Sequence, residues 1–382
     1  MAKLMAKINY NSKAPQPLEP VKQKETSFYN VPDSPASNLF LDVLGAGAYI
    51  ADLPDRKRQV NHNTEYDVSE NGKRRLVELK SQKANVIIEL TDIEKVTGSN
   101  KAAKKLFVLS LIKANEQAIH NGQLTKNYIS FPLQELVDIG FYSSPQSARK
   151  GFDSGVDILT TLKINGKVKK SKKKGAEIDA LEVQVLFTGA RREKGQCYIF
   201  FNPYINWGFL TQYFTILPSY YFRLPNRASD LLYYIFFLAR QHTREIEERG
   251  YFTISFRAIQ HKLQLPNEVG SPNPQRDIKD AIEDAIEQLE IEHSKTYGNM
   301  EFSLSPVYDE KAPIAEYLDN GYLKVELKGA FASPFIAISK DTAKQIETAQ
   351  KRQARITERA VAINTAKKLE SEKKTEGKGG EQ

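Results

Sequence analysis

The same order of secondary-structure elements is predicted twice along the chain, and this duplication limits the folds open to it. Each copy contains a long helix, a short strand, a short helix, an N-capped helix and a β-hairpin. The residues agree as well, since Ile-Ser-Phe at 129–131 recurs at 254–256 and Pro-Gln at 145–146 recurs at 274–275. An ordered set of matches at a nearly constant offset indicates an internal repeat. We therefore expect an α+β protein with two similar domains.

In the first copy, Ser144 and Pro145 are typical of a helix N-cap and first turn, so a helix is predicted from there to Leu162. A second helix, from Ser99 to about His120, precedes it and carries apolar residues at helical spacing. The other predicted elements are a hairpin over 76–90, a strand at 129–131, a short helix at 133–139, and strands at 163–169, 180–187 and 196–201.

The second copy begins with a strongly apolar helix from Asn226 to about Glu247. Asn273 and Pro274 repeat the N-cap and first-turn pattern, and the helix that they begin is predicted to end at Leu289. The other predicted elements are a strand at 253–256, a short helix at 257–263 and a hairpin of 290–295 with 300–307.

Three helices followed by a β-hairpin are the elements of a winged helix, whose third helix enters the major groove while the hairpin lies along the DNA backbone. We therefore expect two tandem winged-helix domains. The predicted division is an extended N-terminal arm (1–75), a first winged-helix domain (76–205), an aromatic interdomain linker (206–225), a second winged-helix domain (226–340) and a charged helix with a disordered tail (341–382).

The charge of the chain is concentrated in one place. Its 55 Lys and Arg residues against 47 Asp and Glu give a net charge of +8. The segment 144–200 holds twelve basic and six acidic residues, and so supplies +6 of that excess. A basic segment that coincides with a predicted recognition helix and hairpin favours double-stranded DNA as the partner.

The third helix of each copy is expected to contact DNA through its first turns, where polar and basic side chains can reach base edges and phosphates. The candidates in the first copy are Ser144, Gln146, Ser147, Arg149 and Lys150, and those in the second are Asn273, Gln275, Arg276 and Lys279. The rest of the second helix is acidic and would be repelled by phosphate. Either only its first turn contacts DNA, or the second domain mainly mediates protein contacts.

A run of lysines between two predicted strands is interpreted as the tip of the first wing. Basic residues on a flexible loop gain affinity for DNA by releasing counterions from the phosphates. The candidate phosphate contacts are Lys163, Lys167, Lys169, Lys170, Lys172, Lys173 and Lys174.

Other function classes lack support in the sequence. The single cysteine, Cys197, cannot form an intramolecular disulfide, and no apolar run approaches the roughly 20 residues of a spanning helix, so we expect a cytoplasmic protein without membrane contact. The sequence contains no His-x-His pair and no Walker A motif. We therefore predict no metal, no cofactor and no enzyme activity. Tyr233 and Tyr234 are interpreted as core residues of a helix, and Cys197 as a buried residue of a strand.

The predicted linker is rich in aromatic residues, which can stack on unpaired bases or form a core between the domains. The core is favoured, because no lysines are interleaved with them. The residues concerned are Trp207, Phe209, Tyr213, Phe214 and Tyr220–Phe222.

The tandem winged helices, together with the segments 224–240 and 277–289, resemble theta-type plasmid replication initiators over roughly 90–307. The resemblance implies a protein that binds direct repeats at an origin, helps to open an adjacent A/T-rich segment, recruits host initiator and helicase proteins, and represses its own gene as a homodimer. It also implies that Gln275, Arg276 and Lys279 read bases or phosphates. Two alternatives stay open, a winged-helix transcriptional regulator and a tyrosine-dependent origin-nicking enzyme.

Overall fold

The structure is a computed structural model. It describes residues 28–33, 37, 41, 44, 64–68, 75–80, 86–90, 100–121, 126–160, 162–166, 181–203, 213–263, 265–266, 268, 271, 273–298 and 301–337. The predicted helix and tail over 341–382 lie outside these residues.

The N-terminal half combines helices with short strands. Its elements are β1 (Phe28–Asp33), β2 (Thr64–Val68), β3 (Arg75–Lys80), β4 (Val86–Leu90), α1 (Asn100–Asn121), β5 (Tyr128–Pro132), α2 (Glu135–Asp138), α3 (Pro145–Leu159), β6 (Leu162–Gly166), β7 (Leu181–Val185), β8 (Phe187–Glu193) and β9 (Gln196–Phe201). The predicted hairpin over 76–90 is confirmed, because β3 pairs with β4 in antiparallel orientation. The predicted helices of this half are also present as α1, α2 and α3.

The C-terminal half repeats this mixture. Its elements are β10 (Tyr213–Pro218), a 3₁₀ helix (Ser219–Arg223), α4 (Asn226–Gln241), α5 (Thr243–Arg249), β11 (Tyr251–Ser255), α6 (Phe256–Lys262), a π-helical turn (Gln275–Asp280) that continues as α7 (Ala281–Tyr297), β12 (Phe302–Val307), α8 (Ile314–Asn320) and β13 (Tyr322–Leu327). A further helix covers 329–337. The chain is thus α+β, as predicted.

The two halves contain three-stranded antiparallel sheets with the same strand order. In the first half the order is β5-β9-β8, and in the second it is β11-β13-β12. In both sheets the last strand in the chain lies between the other two. The Ile-Ser-Phe repeat begins within the first strand of each sheet, at 129–131 and 254–256. The repeated sequence therefore corresponds to a repeated topology.

Helix α3 buries one face against the first helix of its half. In α3, Ala148, Phe152 and Leu159 are buried, and Gly155 allows the helix to approach α1 closely. A Cβ atom at Gly155 would lie 2.5 Å from Cδ1 of Leu106, so a side chain there would collide with α1. The helix is thereby fixed with its opposite face directed outward.

The segment between the halves is a buried connection rather than an exposed linker. Strand β10 pairs with β1, and the side chains of Tyr220, Tyr221 and Phe222 in the 3₁₀ helix are fully buried. Lys105 of α1 donates hydrogen bonds to the carbonyls of Phe222 and Leu224 at 2.8 and 2.6 Å. The predicted aromatic core is therefore confirmed for 220–222. Trp207, Phe209 and the side chains of Tyr213 and Phe214 lie outside the described residues.

The predicted hairpin around Gly298 is wrong. Residues 290–295 continue helix α7, because Leu289 and His293 extend its buried stripe by one further turn. Ile291, whose β-branched side chain favoured a strand, lies on the exposed side of the helix. Strand β12 pairs instead with β13, after the insertion of α8.

Three further element boundaries differ from the predictions. The apolar helix from Asn226 ends at Gln241, and a separate helix, α5, follows from Thr243. Helix α3 ends at Leu159, and Leu162 already belongs to β6. The predicted strand at 180–187 is divided between β7 and β8, which belong to different sheets.

Candidate nucleic-acid interface

Helix α3 begins with a capping box. The backbone N–H of Ser147 donates to Oγ of Ser144 at 3.2 Å, and the backbone N–H of Ser144 donates to Oγ of Ser147 at 3.1 Å. The Ser147 hydroxyl also donates to the carbonyl of Ser144 at 2.8 Å. These bonds satisfy N–H groups that a helix start leaves unpaired. Ser144 and Ser147 therefore fix where the helix begins.

The outward face of α3 carries two cations and an amide. Gln146, Arg149 and Lys150 are all exposed. Among the described residues, neither Arg149 nor Lys150 forms an ion pair. Free cations of this kind can exchange their solvent counterions for phosphate oxygens.

The β8–β9 hairpin lies beside this helix. Arg192 of β8 donates from Nε and Nη2 to the two carboxylate oxygens of Asp153 in α3, at 3.3 and 2.8 Å. Asp153 lies one helical turn after Arg149, so the ion pair places the hairpin next to the basic face. The hairpin turns at Lys194 and Gly195, which both have positive φ, 49° and 80°. Lys194 is exposed at the tip.

The lysine run predicted as a wing tip lies between β6 and β7 in the chain, and so belongs to a different hairpin from β8–β9. The strands on either side of the run do pair, as β6 with β7. Both strands, however, belong to the five-stranded sheet β2-β3-β4-β6-β7, whereas β5 pairs with β9. Lys163 lies within β6, with its backbone opposite Glu89 and Val185. The six other lysines, Lys167, Lys169, Lys170, Lys172, Lys173 and Lys174, lie outside the described residues.

In the second half, the candidate residues are occupied by contacts within the protein. Oδ1 of Asn273 accepts a hydrogen bond from the backbone N–H of Arg276 at 3.3 Å and so caps the helix. The Arg276 guanidinium pairs with Asp277 at 2.9 Å, and Gln275 donates to Asp280 at 3.3 Å. The Asp277 carboxylate also accepts a hydrogen bond from the Ser271 hydroxyl, which lowers its pKa.

Lys279 is directed toward aromatic rings. Its Nζ lies 4.9 and 5.4 Å from the ring centroids of Tyr308 and Tyr317, and it donates to the carbonyl of Glu310 at 3.4 Å. A lysine over two rings is stabilised by cation–π attraction. Lys279 thus connects its helix to the segment between β12 and α8.

Arg191, Arg192 and Lys194 were not among the candidates from the sequence. The sequence does contain a signal for their hairpin, namely the dipeptide Lys194-Gly195 between two β-prone segments. A two-residue turn with positive φ at both positions is one of the commonest kinds of β-hairpin turn. The prediction assigned the phosphate contacts to the lysine run and none to this turn.

Four side chains that could act as nucleophiles are buried, namely those of Tyr220, Tyr221, Tyr233 and Cys197. Burial raises the pKa of Tyr220 and of Tyr221 well above the usual value, and raises the pKa of Cys197 to about 12. Tyr233 is buried in α4, while Tyr234 is half-buried. Both Cys197 and Tyr233 are therefore core residues, as predicted. In the part of the chain that the structure describes, no group of three or more His, Cys, Asp or Glu residues could hold a metal ion. No described helix is both long and apolar enough to cross a bilayer.

Comparison with known proteins gives distant structural similarity alone. No protein-family model and no curated protein sequence matches the chain. A crystal structure of RctB domains 2–3 aligns with a TM-score of 0.39 and 9% identity, covering 75% of this chain and 98% of the other. A selenomethionine structure of the same two RctB domains aligns with a TM-score of 0.38 and 10% identity, covering 74% and 98%. Scores this low do not establish a shared fold.

Proposed function

We propose that the chain is a sequence-specific double-stranded DNA-binding protein with two tandem winged-helix units, and that it initiates replication at a plasmid-like origin. The observation that carries the DNA-binding proposal is the pairing of α3 with the β8–β9 hairpin. Arg149 and Lys150 are exposed without an acidic partner among the described residues, and the Arg192–Asp153 ion pair holds the hairpin next to them. With α3 in the major groove and the hairpin along the DNA backbone, both elements would bring positive charge to the phosphates.

Within this proposal, the two halves have different tasks. The first half would supply most phosphate contacts, through the exposed cations of α3 and of the hairpin tip. The second half would contribute little charge, since Arg276 pairs with Asp277 and Lys279 lies over tyrosine rings. This division favours the second half as a unit for protein contacts.

The role in replication initiation rests on the resemblance of 224–240 and 277–289 to plasmid initiators. Tyr220, Tyr221 and Tyr233 are buried and cannot reach a phosphate, which supports a mechanism in which these residues do not nick DNA. Opening of the duplex would then be left to binding energy and to host initiator and helicase proteins.

DNA binding is tested by fluorescence anisotropy with duplexes selected from a random pool. Arg149→Ala is expected to weaken binding to the selected duplex by about 1–3 kcal/mol if Arg149 reads a base. Arg244→Ala is the matched control, because Arg244 is an exposed arginine of α5 that pairs with Glu248. Equal losses for the two variants would refute a specific role for α3.

Initiation is tested in a minimal replicon that carries the gene with its flanking DNA. The wild-type gene should maintain the plasmid, and Arg149→Ala should abolish maintenance at equal protein level. Repression of a reporter without plasmid maintenance would identify a transcriptional regulator instead. A nicked product from supercoiled origin DNA and Mg²⁺ would overturn the noncatalytic proposal.

A further inference from the structure

The first three-stranded sheet has an aromatic outer face. Its inner face buries Ile129 and Phe131 of β5 together with Ile199 of β9. Because side chains alternate along a strand, Tyr128, Tyr198 and Phe200 lie on the opposite face. All three are half-buried rather than covered.

The rings form a continuous row across two strands. The centroid of Tyr128 lies 6.0 Å from that of Tyr198 and 5.7 Å from that of Phe200. The backbone register explains this closeness, since Tyr128 is directly opposite Phe200 in the β5–β9 ladder. Such a row offers successive π surfaces at the solvent side of a rigid sheet.

Cations border the row on both sides. The guanidinium of Arg191 lies 5.1 Å from the centroid of Tyr198, and Nζ of Lys126 lies 5.5 Å from the centroid of Tyr128. Arg191 also forms an ion pair with Glu193 at 3.3 Å, which partly neutralises its positive charge. Aromatic rings with flanking cations are the features that bind unpaired bases and their phosphates.

The β8–β9 hairpin divides its arginines between two faces. Arg192 points to α3, where it pairs with Asp153, whereas Arg191 lies over Tyr198 on the outer face of the sheet. A duplex on α3 and a single strand on the sheet would therefore contact different sides of the domain. The two sites do not compete for the same side chains.

The equivalent face of the second sheet has no continuous row of rings, because Lys324 takes the place of Phe200 and lies 4.5 Å from the ring centroid of Tyr251. There the counterparts of Tyr128 and Phe200 are Thr253 and Lys324, which are opposite each other in the β11–β13 ladder. Tyr322 is the counterpart of Tyr198, and it is 37% exposed. The aromatic row is therefore not a general feature of this sheet topology, and it requires an explanation specific to the first half.

We propose that the outer face of the sheet β5-β9-β8 binds single-stranded DNA, with bases stacked on Tyr128, Tyr198 and Phe200 and phosphates near Lys126 and Arg191. A base can extend the Arg191–Tyr198 stack, because guanidinium planes also stack on bases. The site is separate from the proposed duplex interface and does not depend on it.

The test is fluorescence anisotropy with an oligothymidylate of about 16 nucleotides. The double variant Tyr128→Ala/Tyr198→Ala should bind it at least about tenfold more weakly, with unchanged binding to the selected duplex. Tyr198→Phe should keep most of the binding, since the ring does the stacking. Tyr322→Ala is the matched control and should bind as the wild type does.

Several results would overturn the proposal. One is unchanged oligothymidylate binding by the double variant, and another is an equal loss in Tyr322→Ala. A change of sedimentation coefficient without a change in oligothymidylate binding would identify the face as a contact between copies of the chain. Stronger binding to oligouridylate of the same length would contradict the assignment to DNA. If the double variant unfolds at the assay temperature, Arg191→Glu replaces it, with the same loss expected.

Discussion

The free cations of α3 and the hairpin tip allow the salt dependence of duplex binding to be predicted. Arg149, Lys150 and Lys194 are exposed and have no acidic partner among the described residues, whereas Arg192 is paired with Asp153. Each phosphate contact changes the slope of log K against log salt concentration by about 0.9. Replacing the three free cations by alanine should therefore flatten the slope by up to about 2.7. Arg192→Ala should change it by less, because the wild-type arginine is already neutralised by Asp153.

The measurement is anisotropy of a labelled duplex over a range of NaCl concentrations, for the wild type, the triple alanine variant and Arg192→Ala. Far-ultraviolet circular dichroism checks that each variant is folded. A slope that stays the same in the triple variant would show that none of the three side chains contacts phosphate. A larger change for Arg192→Ala than for the triple variant would contradict the assignment of free and paired charges.

Three other substitutions test particular parts of the chain. Replacing the five lysines at 169, 170 and 172–174 by alanine should also flatten the salt dependence of duplex binding, by up to about 0.9 for each phosphate that they contact. An unchanged slope would show that these lysines do not contact phosphate. Gly155→Val should lower the free energy of unfolding by about 1–3 kcal/mol in urea titrations, because its side chain would meet Leu106, while Asp157→Val on the exposed side of the same helix should cost less. Burial lowers the pKa of His293 to about 4, so the unfolded chain binds the proton more tightly, and stability should fall by on the order of 3 kcal/mol as the pH falls from about 6.5 to 4. A His293→Phe variant should lack this loss, and an equal loss in that variant would assign the effect to other groups.

Local signals in the sequence were sufficient for most helices and strands. Ser144 and Pro145 predicted the start of α3 correctly, because the Ser144 hydroxyl accepts from the N–H of Ser147 and Pro145 has no N–H that needs a partner. The repeat was visible for a similar reason, since in both Ile-Ser-Phe segments the first and third side chains are buried and the serine is exposed. Helix caps and the alternation of buried and exposed residues depend only on residues that are close together in the sequence.

The sequence did not predict which strands far apart in the chain pair with each other. Whether the lysine run or Lys194-Gly195 forms the hairpin of the first three-stranded sheet depends on which strand pairs with β5, and β9 is about 70 residues from it. The ion pairs that occupy Arg276 and the rings that cover Lys279 likewise come from side-chain positions in the folded chain. The sequence predicted correctly that these cations lie on a helix, but it did not predict that contacts within the protein occupy them.

The two halves differ in how exposed their cations are, because different segments connect the last two strands of the same three-stranded sheet. In the first half, the last two strands are joined by the two-residue turn Lys194-Gly195, so the tip of the hairpin is exposed beside α3. In the second half, α8 lies between β12 and β13, and Tyr308 and Tyr317 from that insertion hold Lys279. The insertion that covers the cation of the second half also provides a new surface, which does not depend on the charge that DNA requires. If the first half binds DNA as proposed, the second half, with its cations covered, is left with a surface suited to protein partners.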